Sequence, residues 1–225
     1  MHLEVFSDAI CPWCWIGKRR LAEALALPGC EDVTVTWRAF QLYPGLPEEG
    51  MEREAFMRAR FGASATQKEG GADPWARLRA EGERVGLDFA FGRAKVVPNT
   101  LQAHRLIRWS HVQQGVEGQD RMVETLFARY FTAGEDLGDR ELLADTAGEA
   151  GFDRDAARSW LDTDEGTAEV RYEVEWSREN GITGVPCFVL PNGFGVPGAQ
   201  EAETLARFIR RGKELEAQGA LERQA

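Results

Sequence analysis

Leu3-Glu4-Val5-Phe6-Ser7-Asp8-Ala9-Ile10-Cys11-Pro12-Trp13-Cys14-Trp15 is the stretch on which the reading of the chain turns. Its opening residues alternate as a strand does, with Leu3 and Val5 on one face. A helical pattern, Ile16 through Leu27, leads out of it. Two cysteines three apart at the start of a helix occupy neighbouring positions on one face. Their Cα atoms are then about 5–6 Å apart, within disulfide range. Pro12 suits the first helical turn, where a missing N–H costs nothing. Cys11 is expected at the helix N-terminus, near unpaired N–H groups and the positive end of the dipole. Both favour thiolate over thiol, which makes Cys11 the expected attacking sulfur with a lowered pKa. Cys14, one turn further in and more buried, is the expected resolving thiol.

Composition narrows the function classes. The 225 residues suffice for one large domain or two small ones, and 43% hydrophobic with 28% charged residues is ordinary globular composition. A formal net charge of -10 argues against nucleic-acid binding. No apolar run approaches the roughly 18 residues that span a bilayer. The first strand begins almost at Met1, which leaves no room for a secretory leader, so a cytoplasmic protein is expected. In that compartment a C-x-x-C pair is catalytic or metal-binding sooner than structural. Structural zinc needs four ligands in matched spacing, and Cys30 and Cys187 have no neighbouring cysteine or histidine. His104 and His111 lie about 10.5 Å apart along a helix, too far to share one ion. Neither a metal nor a bound organic cofactor is therefore expected.

Outward from the cysteines, Val33, Val35 and Trp37 alternate with Thr34, Thr36 and Arg38 as a second strand. Strand, helix and strand within 38 residues form a βαβ unit. After Leu42-Tyr43-Pro44-Gly45-Leu46-Pro47 the pattern turns helical. Helices are expected at about 49–61, 74–85, 99–114, 119–132, 139–149 and 154–162, with Asn99, Asp139 and Asp153 as caps. Phe89-Ala90-Phe91 is ambiguous. A helix over about 165–180 carries Ala168, Tyr172 and Trp176 on one stripe and Val170 and Val174 on another, which predicts burial on two sides. Cys187-Phe188-Val189-Leu190 and Phe194-Gly195-Val196 flank Asn192-Gly193 as a hairpin. Leu205, Phe208, Ile209 and Leu215 mark a closing amphipathic helix. The fold class is α/β: a thioredoxin fold (βαβ–ββα) split by a large all-helical insertion. Its thioredoxin-like domain is discontinuous, 1–47 with 164–217, around an inserted helical domain at 48–163. A polar tail follows at 218–225.

Ser7-Asp8-x-x-Cys11-Pro12-Trp13-Cys14, Asn99-Thr100-x-x-Ala103-His104-Arg105, Gly184-Val185-Pro186 and Gly198-Ala199-Gln200 together resemble the FrnE-type branch of the DsbA-like thioredoxin-fold proteins. The resemblance spans nearly the whole chain. It implies thiol–disulfide chemistry at Cys11 and Cys14, and a cis peptide before Pro186 facing the pair. The Val185 backbone would then meet a bound substrate strand. It also places His104 at the active-site groove as a proton carrier or substrate contact. Relatives in this superfamily, such as 2-hydroxychromene-2-carboxylate isomerase and the kappa-class glutathione transferases, typically carry serine where Cys11 stands. The periplasmic oxidases carry histidine where this chain has Trp13, so a less oxidising couple is expected here.

Each signal has a plainer reading. Cys187 reads as a small buried hydrophobe pointing away from the Pro186 face. Cys30 reads as a loop spectator, with glutathionylation as the alternative. Asp8 either relays the Cys14 proton or bonds nearby backbone N–H groups, and the second is favoured. Trp13 is a candidate substrate platform; Trp15 serves equally well as a platform or as packing under the insertion. The leading expectation is a cytosolic thiol–disulfide oxidoreductase, with Val185, Pro186, Trp13 and His104 at the substrate and glutathione as a conceivable co-substrate. The alternatives are a glutathione-dependent isomerase or transferase on a small aromatic or polyketide-like substrate, and a non-catalytic holdase.

Overall fold

The computed structural model describes residues 1–62 and 75–219. Position 74, where the second inserted helix was expected to begin, and positions 220–225 of the expected tail lie outside the described residues. Strand β1 (His2–Ser7), helix α1 (Pro12–Leu25) and strand β2 (Thr34–Ala39) open the chain. β1 and β2 pair in parallel, Val5 opposite Trp37, as a βαβ unit requires. Near the other end, β5 (Cys187–Val189) and β6 (Gly195–Pro197) form the expected hairpin, with Phe188 opposite Val196. Gly193 takes the positive φ of +85° that its turn needs. β5 runs antiparallel to β1, so the sheet order is β2-β1-β5-β6. Helix α8 (Ala202–Ala217) closes the chain against α1.

Strand alternation sorts the core. Leu3, Val5 and Phe188 join Ile16, Leu21 and Ala24 of α1 and Leu205 and Ile209 of α8 in the main apolar cluster. Phe6, Cys187 and Val189 belong to a separate cluster with Phe40 and Ile182. Helix α7 (Thr167–Glu179) buries one stripe, Val170, Glu173, Val174 and Ser177. The expected second buried stripe is corrected: Ala168 and Tyr172 are exposed and Trp176 is half-buried. Glu173, on the buried stripe, accepts from the Ala39 N–H at 2.9 Å and pairs with Arg38 at 3.1 Å.

Between the two halves lie α2 (Arg53–Phe61), α3 (Ala76–Arg84), α4 (Leu101–Ala128), α5 (Arg140–Glu149) and α6 (Arg154–Leu161). α4 spans both helices expected near 99–132, broken at Gln114 and Gly115, where Gly115 takes a φ of +66°. A π-helical turn, Arg129–Ala133, ends it. Asp139 and Asp153 cap α5 and α6 with their side chains. Two short elements of the block are strands: β3 (Met51–Glu52) pairs antiparallel with β4 (Val96–Val97). The helix expected from 49 therefore starts only at Arg53. Residues so far apart in the chain leave no local periodicity that announces such a ladder.

The helical block shares the main apolar cluster with the thioredoxin-like elements. Trp15 is 4% exposed and packs against Phe89, Phe127 and Phe131, with ring centres 5.7–6.1 Å away. Its indole N–H donates to Glu124 at 3.0 Å. Lys18 pairs with Asp120 at 2.8 Å and Arg20 with Glu81 at 2.6 Å, so α1 is tied to both α4 and α3. Of the two readings of Trp15, packing under the insertion is the one realised.

Candidate active site

α1 opens at Pro12 with Cys11 as the N-cap residue in extended geometry, and no side chain caps it. The Cys11 N–H donates to the Asp8 carbonyl at 2.9 Å, and the Cys14 N–H to the Cys11 carbonyl at 3.0 Å. These bonds fold Asp8–Cys14 into a tight turn that sets both sulfurs at the helix mouth. Both thiols are free; Cys11 is 4% exposed and Cys14 fully buried. Burial is the largest influence on Cys14 and pushes its thiol well up; the hydrogen bond and charge of Cys11 act in the same direction. The Ser7 hydroxyl and the Asp8 N–H, directed at Cys14, pull the other way.

Cys11 Sγ donates to the Val185 carbonyl across 3.5 Å. The Val185–Pro186 peptide is cis. The later blocks of the resemblance hold this loop: the Gly198 N–H donates to the Pro186 carbonyl at 2.7 Å, and Gln200 Nε2 to the Pro197 carbonyl at 2.6 Å. Gly17, one turn beyond Cys14, is the other restraint. A Cβ placed there would come 2.8 Å from Pro186 Cγ. A glycine inside a helix is the signal that such a close approach leaves in a sequence, and periodicity and spacing do not single Gly17 out.

The structure thus brings Cys11, Cys14, Val185 and Pro186 together. Trp13 sits half-buried at the rim, with the Arg77 guanidinium 5.4 Å from its ring centre. His104 does not stand on this surface. It is 3% exposed, its Nε2 is 2.9 Å from the Phe40 carbonyl and 3.4 Å from Asp8 Oδ1. A carbonyl neighbour requires the proton on Nε2. A direct substrate contact by His104 is therefore corrected: the turn of α4 that carries it packs inward. Asp8 is fully buried; its Oδ2 accepts from the Leu42 N–H at 2.7 Å, while Oδ1 has no hydrogen-bond partner.

The remaining motif residues are structural supports. Asn99 Oδ1 accepts from the Leu101 N–H and from Gln41 Nε2, both at 3.0 Å, and its Nδ2 donates to the Leu46 carbonyl at 2.7 Å. Arg105, 1% exposed, donates to the carbonyls of Thr163 at 2.6 Å and Glu165 at 2.9 Å beyond the C-terminal end of α6. Cys187 is 7% exposed and burial raises its thiol. Cys30 is 1% exposed, with its Sγ 3.7 Å from the Ala206 carbonyl. The expected exposed spectator is corrected, because α8 covers the loop. Among the described residues, no group of three or more His, Cys, Asp or Glu could hold a metal ion, and no helix is long and apolar enough to cross a membrane.

A thioredoxin-type sheet with two cysteines at the mouth of its first helix, facing a cis proline, defines the class: thioredoxin-fold proteins with a C-x-x-C centre. Within that class the chain belongs to the DSBA-like thioredoxin domain family, whose model matches residues 2–210. It is 30% identical to a probable DsbA oxidoreductase from Streptomyces coelicolor, covering 95% of this chain and 90% of that one with a TM-score of 0.82. It is 25% identical over 212 residues to the Bacillus subtilis (strain 168) protein YwbO, covering 93% of this chain and 96% of that one. The cytosolic disulfide reductase DsbM from Pseudomonas aeruginosa, solved with GSH, shares the fold at 13% identity and a TM-score of 0.65, over 97% of this chain and 100% of that one.

Proposed function

We propose that this protein is a cytosolic thiol–disulfide oxidoreductase in which Cys11 attacks and Cys14 resolves. The observation that carries the reading is the placement of Cys11 Sγ between the start of α1 and the Val185 carbonyl, with Cys14 buried behind it. Cys11 attacks one sulfur of a substrate disulfide, and the other sulfur leaves with the bonding pair. Cys14 then attacks Cys11, releasing the second substrate thiol and leaving the enzyme as the Cys11–Cys14 disulfide. Two electrons pass to the substrate, and two equivalents of a thiol restore the dithiol. Glutathione is our candidate for that thiol, in keeping with the glutathione-bound relative of the same fold. The Val185 and Pro186 backbone forms the docking edge, and Trp13 with Arg77 its rim. Insulin reduction tests the assignment: Cys11→Ala abolishes turnover, and equal rates in wild type and variant refute it. Saturable glutathione binding that survives Cys14→Ser, together with isomerase or transferase turnover and no insulin reduction, would move the protein to the glutathione-dependent class instead.

A further inference from the structure

Helix α3 of the inserted block is fixed against the reactive helix from two sides. Glu81 Oε2 accepts from Arg20 of α1 at 2.6 Å, and Glu81 Oε1 accepts from Arg84 at 2.9 Å. Arg20 is 4% exposed and also donates to the Ala199 carbonyl at 2.6 Å, so one guanidinium ties α3 to α1 and to the loop that holds Pro186. Elsewhere on α3, Leu78 is buried in the main apolar cluster, and a Cβ on Gly82 would come 2.5 Å from the Phe89 ring. The helix has little room to shift. Arg77 stands one turn before Glu81 and projects from the same face of α3. Trp13 and Arg20, two turns apart, likewise share a face of α1. That register seats the Arg77 guanidinium 5.4 Å from the centre of the Trp13 ring, two residues along from Cys11.

Arg77 is exposed, and among the described residues its guanidinium has no hydrogen bond and no carboxylate partner. The neighbouring cations are spent: Arg19 pairs with Glu124, Lys18 with Asp120, and Arg20 and Arg84 with Glu81. Glu81, the carboxylate one turn away from Arg77, has both oxygens engaged by those two arginines. An aromatic face holds a guanidinium in a fixed plane and leaves its N–H edge free, the geometry that meets a carboxylate with two parallel hydrogen bonds. The chain as a whole carries a net charge of -10 and repels anions at a distance, so a free cation beside the reactive sulfur selects at contact. On the reading given under Proposed function, we propose that Arg77, held on Trp13, is a substrate-binding residue that selects disulfides carrying a carboxylate close to the sulfur that Cys11 attacks. That carboxylate belongs to a small thiol acid or to an acidic residue beside the half-cystine of a peptide. The exchange itself is unchanged: Cys11 bonds to the sulfur on the carboxylate-bearing half, and the other sulfur leaves with the bonding pair.

The test uses substrate pairs that differ only in charge. One is 3,3′-dithiodipropionate with its neutral diamide; the other is the disulfide of a capped Gly-Cys-Glu-Gly peptide with that of Gly-Cys-Gln-Gly. Oxidation of the reduced full-length protein by each, followed by acid quench and thiol alkylation, gives one rate constant per substrate. Arg77→Met keeps the stem over the ring and removes the charge. In it the acid-to-neutral rate ratio falls about tenfold, the size of one charge-assisted contact. Arg77→Lys, which keeps the charge and loses the fork, retains part of the ratio, and added salt shrinks it in wild type. The pair that loses more identifies the natural class as small acid or acidic peptide; equal losses make the carboxylate alone the determinant. A ratio that Arg77→Met leaves unchanged in both pairs overturns the proposal. That includes the case in which acid and neutral rates fall by one common factor, as they would if Arg77 only tuned Cys11 or steadied the fold. If none of the four disulfides oxidises the wild-type pair, the oxidoreductase reading itself fails instead.

Discussion

Gly17→Ala probes the contact that fixes the docking loop against the reactive helix. The new Cβ would lie 2.8 Å from Pro186 Cγ and 3.4 Å from Phe188 Cζ. The first distance is inside van der Waals contact, and a proline ring cannot swing aside as a long side chain can. Replacing glycine by alanine inside a helix gains about 0.8–1 kcal/mol of propensity. Overpacking a close-fitting interior costs about 1–3 kcal/mol. The net expectation is a loss of about 1 kcal/mol in urea unfolding. Relief of the clash by a few tenths of an ångström moves Pro186, and with it the Val185 carbonyl, away from Cys11. A misplacement of about 1 Å can cost 10²-fold in rate, so insulin reduction should fall roughly tenfold. Gly148→Ala in α5 is the control: its Cβ would meet only the Arg154 Cβ at 3.6 Å, an ordinary contact. That variant should keep its propensity gain and full activity. If Gly17→Ala gained stability like the control and reduced insulin at the wild-type rate, the tight fit between α1 and the proline loop would be refuted.

Trp15→Ala should cost about 3–5 kcal/mol, since it empties the centre of a buried aromatic cluster, while Trp13→Ala at the half-buried rim costs far less; urea melts of the two variants decide. Alkaline stability should depend on redox state. Burial raises the Cys14 and Cys187 thiols and pushes the Tyr130 hydroxyl up to about 12. A raised acid keeps its proton longer when folded than unfolded. For the thiols the stabilisation is therefore whole below the ordinary value of about 8.5, starts to fall there and is lost as pH climbs through the raised folded-state values. Denaturant midpoints of the reduced protein should fall more steeply above that pH than those of the Cys11–Cys14 oxidised form, in which Cys14 has no proton to lose. The redox couple should lie well below about -120 mV, because Trp13 itself carries no cation; glutathione equilibration of the cysteine pair measures it.

The chain's own order of residues determined everything that depends on near neighbours. Period-two alternation marks β1 and β2, Asp139 and Asp153 mark the starts of α5 and α6, and Asn192-Gly193 marks the hairpin. Cys11-Pro12-Trp13-Cys14 places the candidate chemistry at a helix start. Only the tertiary structure decided which surfaces meet. It turned Trp15 under Phe89 and Phe127, covered Cys30 with α8 and left Tyr172 in solvent. It paired Met51–Glu52 with Val96–Val97, set Gly17 against Pro186 and enclosed His104 beside Asp8. The physical reason is range: capping, turn chemistry and periodicity act over a few residues and are written in order along the chain. A buried contact between distant segments is chosen by the shape and polarity of both partners at once, and neither segment carries that choice alone.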